Sequence, residues 1–203
     1  MIISISGVDG SGKTTLAKSL AKILGKKEVT RYVFLGDYFL LSPIVRFIHL
    51  FSRKSTTAKN PFLNTRPKKP WQRIWIVFAI FDNLLRYSCL HFLSVVFGYN
   101  FICDRYFYDR LAGLEFYEYS NHFLSKLYLF LTPRPDLAVF LNTDERSARK
   151  REVKEKHNLA FYRRLSKIYK RLADELNIEI INSGKYNTER IINSIIIPKL
   201  NKK

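Results

Sequence analysis

Residues 1–20 read MIISISGVDGSGKTTLAKSL, and their reading decides the fold. Residues 2–6 (IISIS) are a short apolar, β-branched run and predict a strand. The next eight residues, Gly7-Val8-Asp9-Gly10-Ser11-Gly12-Lys13-Thr14, match G-x-x-x-x-G-K-[ST]. Thr15 and the segment LAKSLAKIL then keep helical spacing, so 13–25 reads as a helix closing near Gly25. A strand feeding a glycine loop that opens a helix aims consecutive backbone N–H groups at one point. The positive end of the helix lies behind them. Lys13 reaches the outer phosphates of a bound polyphosphate, and the Thr14 hydroxyl is a candidate Mg²⁺ ligand. Gly7 through Thr15 form the expected phosphate cradle.

Outward from this unit, strand and helix patterns alternate. Strands are expected at about 31–35 (RYVFL), 100–103 (NFIC), 137–141 (LAVFL) and 178–181 (IEII). Helices are expected at about 39–51 and 74–97, as two basic helices between 143 and 176, and from near Thr188. An aromatic helical region follows Asp104, and no internal repeat is present. Such alternation predicts a single α/β domain over 1–203. Its five-stranded parallel sheet is covered by helices on both faces, with a small basic lid at about 143–157. Ligands of such sheets sit at the carboxyl ends of the strands, which gathers the loops at Gly7, Gly36, Asp104, Asn142 and Asn182 around one site. The stretch 52–70, with Pro61, Pro67 and Pro70, reads as an exposed mobile loop.

Charge and cysteines narrow the class. Lys and Arg total 35 against 17 Asp and Glu, a net charge of +18 that favours anionic ligands or a solvated basic surface. Cys89 and Cys103 are the only cysteines; both lie in apolar runs and read as buried reduced thiols, with no disulfide framework or zinc site. Residues 74–97 (IWIVFAIFDNLLRYSCLHFLSVVF) have the length of a membrane span, but Asp82, Asn83, Arg86 and His91 interrupt them. A helix buried along most of its length is the expectation, with no membrane span. The N-terminus runs straight into a strand, which argues against secretion and for a cytoplasmic address. The N-K-x-D pattern of guanine recognition is absent, and the size argues against a motor.

Two more features join the glycine loop. Asp104-Arg105-Tyr106 follows the strand NFIC, and Arg146, Arg149, Lys150 and Arg151 follow P-D-L-A-V-F-L. With GVDGSGKTT, these make the chain similar to the thymidylate kinase family of nucleoside monophosphate kinases. The likeness in order and spacing extends over nearly the whole chain. It implies Mg·ATP as phosphate donor, a nucleotide acceptor with dTMP favoured, and a homodimer formed through apolar helices such as 74–97. It also implies Asp104 holding Mg²⁺ or its waters, and Arg105 bridging donor and acceptor phosphates. Asp9 would hold the acceptor sugar. Family members lacking an arginine at Gly10 supply one from the lid, for which Arg149 is first choice and Arg146 and Arg151 the alternatives. Ser183, in the Asn182-Ser183-Gly184-Lys185 loop, falls on the adenine side.

Departures from the family carry information too. Phe78 offers the stacking face for the acceptor base, but Asp82 stands one turn later, where the family has an arginine. Asp109 replaces a serine, and Ala112-Gly113-Leu114 replaces an Ala-Tyr-Gln run. Arg46 and Arg86, with Asp109, are the remaining candidate acceptor contacts. Relaxed selectivity for dTMP is the expected consequence. Another nucleotide, a nucleoside or a sugar phosphate is the alternative acceptor. A nucleic-acid-associated ATP-binding protein, using Arg53, Lys54, Lys59, Arg66, Lys68 and Lys69, is the alternative of another class.

Overall fold

The computed structural model describes residues 1–26, 28–37, 39–40, 70–118, 122–151 and 157–201. Arg46, most of the 39–51 helix, the basic loop at 52–69 and lid residues 152–156 lie outside the described residues.

Strands β1 (Ile2–Gly7), β2 (Thr30–Phe34), β3 (Asn100–Asp104), β4 (Leu137–Asn142) and β5 (Glu179–Asn182) form one sheet in the order β2-β3-β1-β4-β5. All four pairings are parallel. The helices are α1 (Lys13–Leu24), α2 (Pro70–Phe97), α3 (Phe107–Phe116), α4 (His122–Leu131), α5 (Glu145–Arg151) and α6 (Leu159–Leu176). A terminal helix follows as α7 (Thr188–Ile191), a π-turn at Ile192–Ile196 and α8 (Ile197–Leu200).

Alternation along the strands separates two cores, because successive side chains leave opposite faces. Ile2, Phe101, Cys103 and Phe140 pack with Tyr87 of α2, Phe107 and Leu111 of α3 and Tyr169 of α6. Ile3, Ile5, Ile102 and Val139 pack instead on Leu16, Ala17 and Leu20 of α1 and on Ile191, Ile192 and Ile196 of the terminal helix. Helices therefore cover both faces, as expected. The β1 strand lies at the centre of the sheet and is buried at every residue, which anchors the glycine loop on rigid structure. Asn158 caps the α6 N-terminus by accepting from Phe161 N–H, and Asn177 closes that helix in the left-handed conformation.

Two expectations are corrected. The long helix begins at Pro70 and is not buried along most of its length. Over Ile76–Phe97, which has the length and apolarity of a membrane span, 33% is buried. Ile76, Ala79, Asn83, Tyr87 and Leu90 face inward, whereas Val77, Phe78, Phe81, Leu85, Phe92 and Val96 are exposed. A helix that is apolar all round meets the core of a single chain along one side only. Cys89 is exposed for the same reason, while Cys103 is buried, and burial pushes its thiol up to about 12.

Candidate active site

The glycine loop runs along the C-terminal edge of the sheet. Gly7 has φ +140°, and a Cβ there would stand 2.0 Å from the Leu141 carbonyl oxygen of β4. Gly10, at φ +79°, backs onto α5, where a Cβ would meet the Ala148 carbonyl oxygen at 2.3 Å. Glycine is demanded at both positions by conformation and by space. An arginine at position 10 would collide with α5, so the fold leaves such a charge to be supplied from elsewhere.

Lys13 is buried across the mouth of this loop. Its ammonium donates to the carbonyls of Gly7 (2.8 Å) and Val8 (2.9 Å) and to Asp9 Oδ1 (3.2 Å). Arg105 donates to the same Asp9 oxygen at 2.7 Å. One carboxylate thus sits between two cations. Burial pushes the Asp9 carboxyl up, but Lys13 and Arg105 outweigh it and hold the group well below the usual carboxylate range. Arg105 has φ +75°, a left-handed conformation that is uncommon outside glycine. Backbone strain of this kind, on the order of 1–3 kcal/mol, concentrates at functional sites. Its N–H bonds the Ile5 carbonyl at 2.9 Å, tying the end of β3 to β1.

Asp104 closes the other side. It is fully buried, and its Oδ2 accepts from Thr14 Oγ1 at 2.6 Å and from Tyr32 OH at 2.9 Å. Its Oδ1 is buried with no partner among the described residues. Tyr32 was not singled out from the sequence. Burial, and then the bond to Asp104, raise its hydroxyl above the ordinary tyrosine range.

Four acceptor-side expectations find other surroundings. Asp109 is taken up by the scaffold: its carboxylate accepts from Tyr106 N–H (3.0 Å), Tyr169 OH (2.7 Å) and Gly7 N–H (3.4 Å). It braces the start of α3 against α6 and the glycine loop. Arg86 donates to the carbonyls of Phe34 (2.7 Å) and Asp37 (3.2 Å), holding the loop after β2. Asp82 serves the same loop, accepting from Phe39 and Leu40 N–H at 2.6 Å each. Phe78 is 56% exposed, whereas Ala79 and Asn83, one residue further on, line the cleft between α2 and α3. Phe78 and Asp82 are not among the residues that line this cleft.

On the lid side, Arg146, Arg149 and Arg151 are exposed on α5, flanking the buried Ala148 that rests on Gly10. Ser183 lies at the end of β5, its N–H and Oγ both bonding the Asn142 carbonyl. Val8 and Ser11 are buried in the loop, with Ser11 N–H on the Val8 carbonyl at 3.1 Å, and Gly12 and Thr15 are exposed. A strand-end Asp-Arg pair faces the loop, with an arginine-bearing helix packed on the same glycines. This arrangement can bind a polyphosphate and neutralise charge that moves between two phosphates.

The comparisons agree with this geometry. No family model matches the chain. Over 197 residues it is 28% identical to a probable thymidylate kinase of Pyrobaculum calidifontis, covering 91% of this chain and 89% of that one. A probable thymidylate kinase of Methanocaldococcus jannaschii is 26% identical over 200 residues, covering 97% and 94%. In fold, the chain is similar to the crystal structure of thymidylate kinase from Ehrlichia chaffeensis, with TM-score 0.68, 18% identity and 98% of each chain covered. It is also similar to a deoxyadenosine kinase from M. mycoides, with TM-score 0.61, 17% identity and both chains fully covered. Likeness along the whole length, and not over the glycine loop alone, sets the class: this is a P-loop nucleoside monophosphate kinase. Along nearly its whole length the chain is similar to probable thymidylate kinases.

Proposed function

We propose that this chain moves the terminal phosphoryl group of Mg·ATP onto a nucleoside monophosphate, with dTMP the favoured acceptor. The observation that carries the reading is the Lys13–Asp9–Arg105 cluster at the joined ends of β1 and β3. An oxygen of the acceptor phosphate forms a bond to the γ-phosphorus as the bond to the β,γ-bridging oxygen breaks, and ADP leaves. Little covalent help is needed; alignment and positive charge are. Lys13 is assigned to the outer donor phosphates, Arg105 to the space between donor and acceptor, and Asp9 to the acceptor sugar. Arg149, with Arg146 and Arg151 beside it, supplies charge from the lid. Ser183 sits on the adenine side.

Thr14 and Asp104 suit a magnesium ion. A buried carboxylate oxygen with no partner among the described residues, beside a hydroxyl, is the donor set of an ion that would keep most of its waters and phosphate ligands. When bound, the ion neutralises phosphate charge. Thr14 and Asp104 would hold it, and the Tyr32 hydroxyl would keep Asp104 oriented.

The acceptor panel tests the reading directly. Turnover should be measured with dTMP, dUMP, other monophosphates, nucleosides and sugar phosphates. dTMP is expected to be used, with kcat/KM within about tenfold of dUMP, since the Ala-Tyr-Gln run is replaced by Ala112-Gly113-Leu114. A preference for dTMP over every alternative would remove the relaxed selectivity. Absence of transfer to any monophosphate would remove the reading itself.

A homodimer is part of the proposal. Ile74, Phe78, Phe81, Leu85, Cys89, Phe92 and Val96 are exposed at three- and four-residue spacing, a stripe suited to a second copy of the same helix. Light scattering at micromolar concentration should give twice the 24.0 kDa of one chain. Phe81→Glu together with Phe92→Glu should return it to that mass. A wild-type chain found only at the single-chain mass would overturn the dimer.

A further inference from the structure

A small cleft, open to solvent on one side, lies between α2, α3 and α4. Ile80 and Leu114 contribute apolar walls, and Asn83, Asp109 and Arg110 line it together with the rings of Tyr117 and Tyr128. Asp109 is committed to the α3 N-terminus, Tyr169 and the glycine loop, and Arg110 donates to the Gly36 carbonyl at 2.8 Å.

Asn83 is different. It is 1% exposed, and its Nδ2 donates to the Ala79 carbonyl at 2.6 Å. A carbonyl accepts only from the amide nitrogen, so this bond fixes which end of the carboxamide is which. Oδ1 is then the free end, buried and without a donor among the described residues. A buried amide oxygen left unpaired is costly, so the cleft asks for a ligand that brings an N–H. Space is available as well: a Cβ on Gly113, in the cleft wall, would meet nothing within 4 Å. The cleft also abuts the phosphate cradle, since the Asp109 in its wall accepts from Gly7 N–H.

We propose that Asn83 is the specificity-determining residue for the acceptor base, its Oδ1 accepting the N3–H of thymine or uracil held in this cleft. The inference rests on the monophosphate-kinase reading and deepens it. Cytosine presents a lone pair at N3, which Oδ1 repels. The cleft tests the N3 proton and not the 5-methyl group, in accord with similar use of dTMP and dUMP.

The experiment compares dTMP, dCMP and N3-methyl-dTMP on the full chain, then on Asn83→Leu. With wild type, kcat/KM for dCMP and for the N3-methyl analogue should fall roughly 10- to 100-fold below dTMP, as expected for losing the partner of a buried polar group. In Asn83→Leu the dTMP value should fall by a similar factor and the gap to dCMP should close, with ATP affinity retained. Equal use of dTMP and its N3-methyl analogue by wild type would overturn the proposal while leaving the kinase reading intact. So would an Asn83→Leu variant that keeps the gap. If that variant fails to fold, the analogue comparison on wild type decides alone. Transfer to no monophosphate at all would overturn both readings.

Discussion

Lys13→Ala is expected to cut phosphoryl transfer on the order of 10²–10³-fold or more, the scale of losing a charge preorganised for the transition state. Lys13 is buried, and its three donors are filled by the Gly7 and Val8 carbonyls and by Asp9. An incoming phosphate competes with these acceptors for an ammonium already at the mouth of the loop. Removing it takes away the charge for the outer phosphates and leaves Asp9 paired with Arg105 alone. ATP binding should therefore weaken as well, which a titration with nucleotide reports separately from turnover. Lys13→Met, which keeps the apolar stem, should lose activity to the same extent with less disturbance of the loop. Near-normal turnover in either variant would sink the kinase reading.

The parts of this site that were legible in the sequence are those encoded by contiguous residues. Gly7 to Thr14 specify their own loop, because glycine at positions 7 and 10 answers to local backbone geometry. The runs IISIS, NFIC and LAVFL are short, apolar and bounded, so the parallel sheet followed from them. Asp104 and Arg105 were reachable as the end of one such run. Tyr32 and Tyr169 were not, since their bonds to Asp104 and Asp109 span 72 and 60 residues and no local pattern announces them. The rotation of α2 was also hidden. With apolar residues around its whole circumference, periodicity does not say which side faces α3. The expectation fell on Phe78 and Asp82, whereas Ala79 and Asn83 are the residues of α2 beside them that line the cleft. The burial expected of Cys89 failed for the same reason.

Asp104→Asn should separate function from stability in one substitution. The carboxylate is fully buried; one oxygen serves Thr14 and Tyr32, and the other has no partner among the described residues. Asparagine keeps the shape, and its oxygen can still accept from both hydroxyls. What it loses is the negative charge, and a buried charge with an unmet oxygen is a cost to the fold, not a support. Thermal melting should therefore show a Tm unchanged or raised, the trade expected where a site is built for binding at the expense of stability. Activity should move the other way, falling on the order of 10²-fold or more at fixed Mg²⁺. Part of it should return as Mg²⁺ is raised, because the ion is then held by phosphates, water and Thr14 with one charge fewer. Had Asp104 only the scaffold role of linking α1 to β2, the same change would leave the Mg²⁺ dependence of turnover where it was. Steady-state rates across a Mg²⁺ series, set beside the melting curve, distinguish these outcomes, and an unaltered Mg²⁺ dependence with near-wild-type turnover would take the metal away from Asp104.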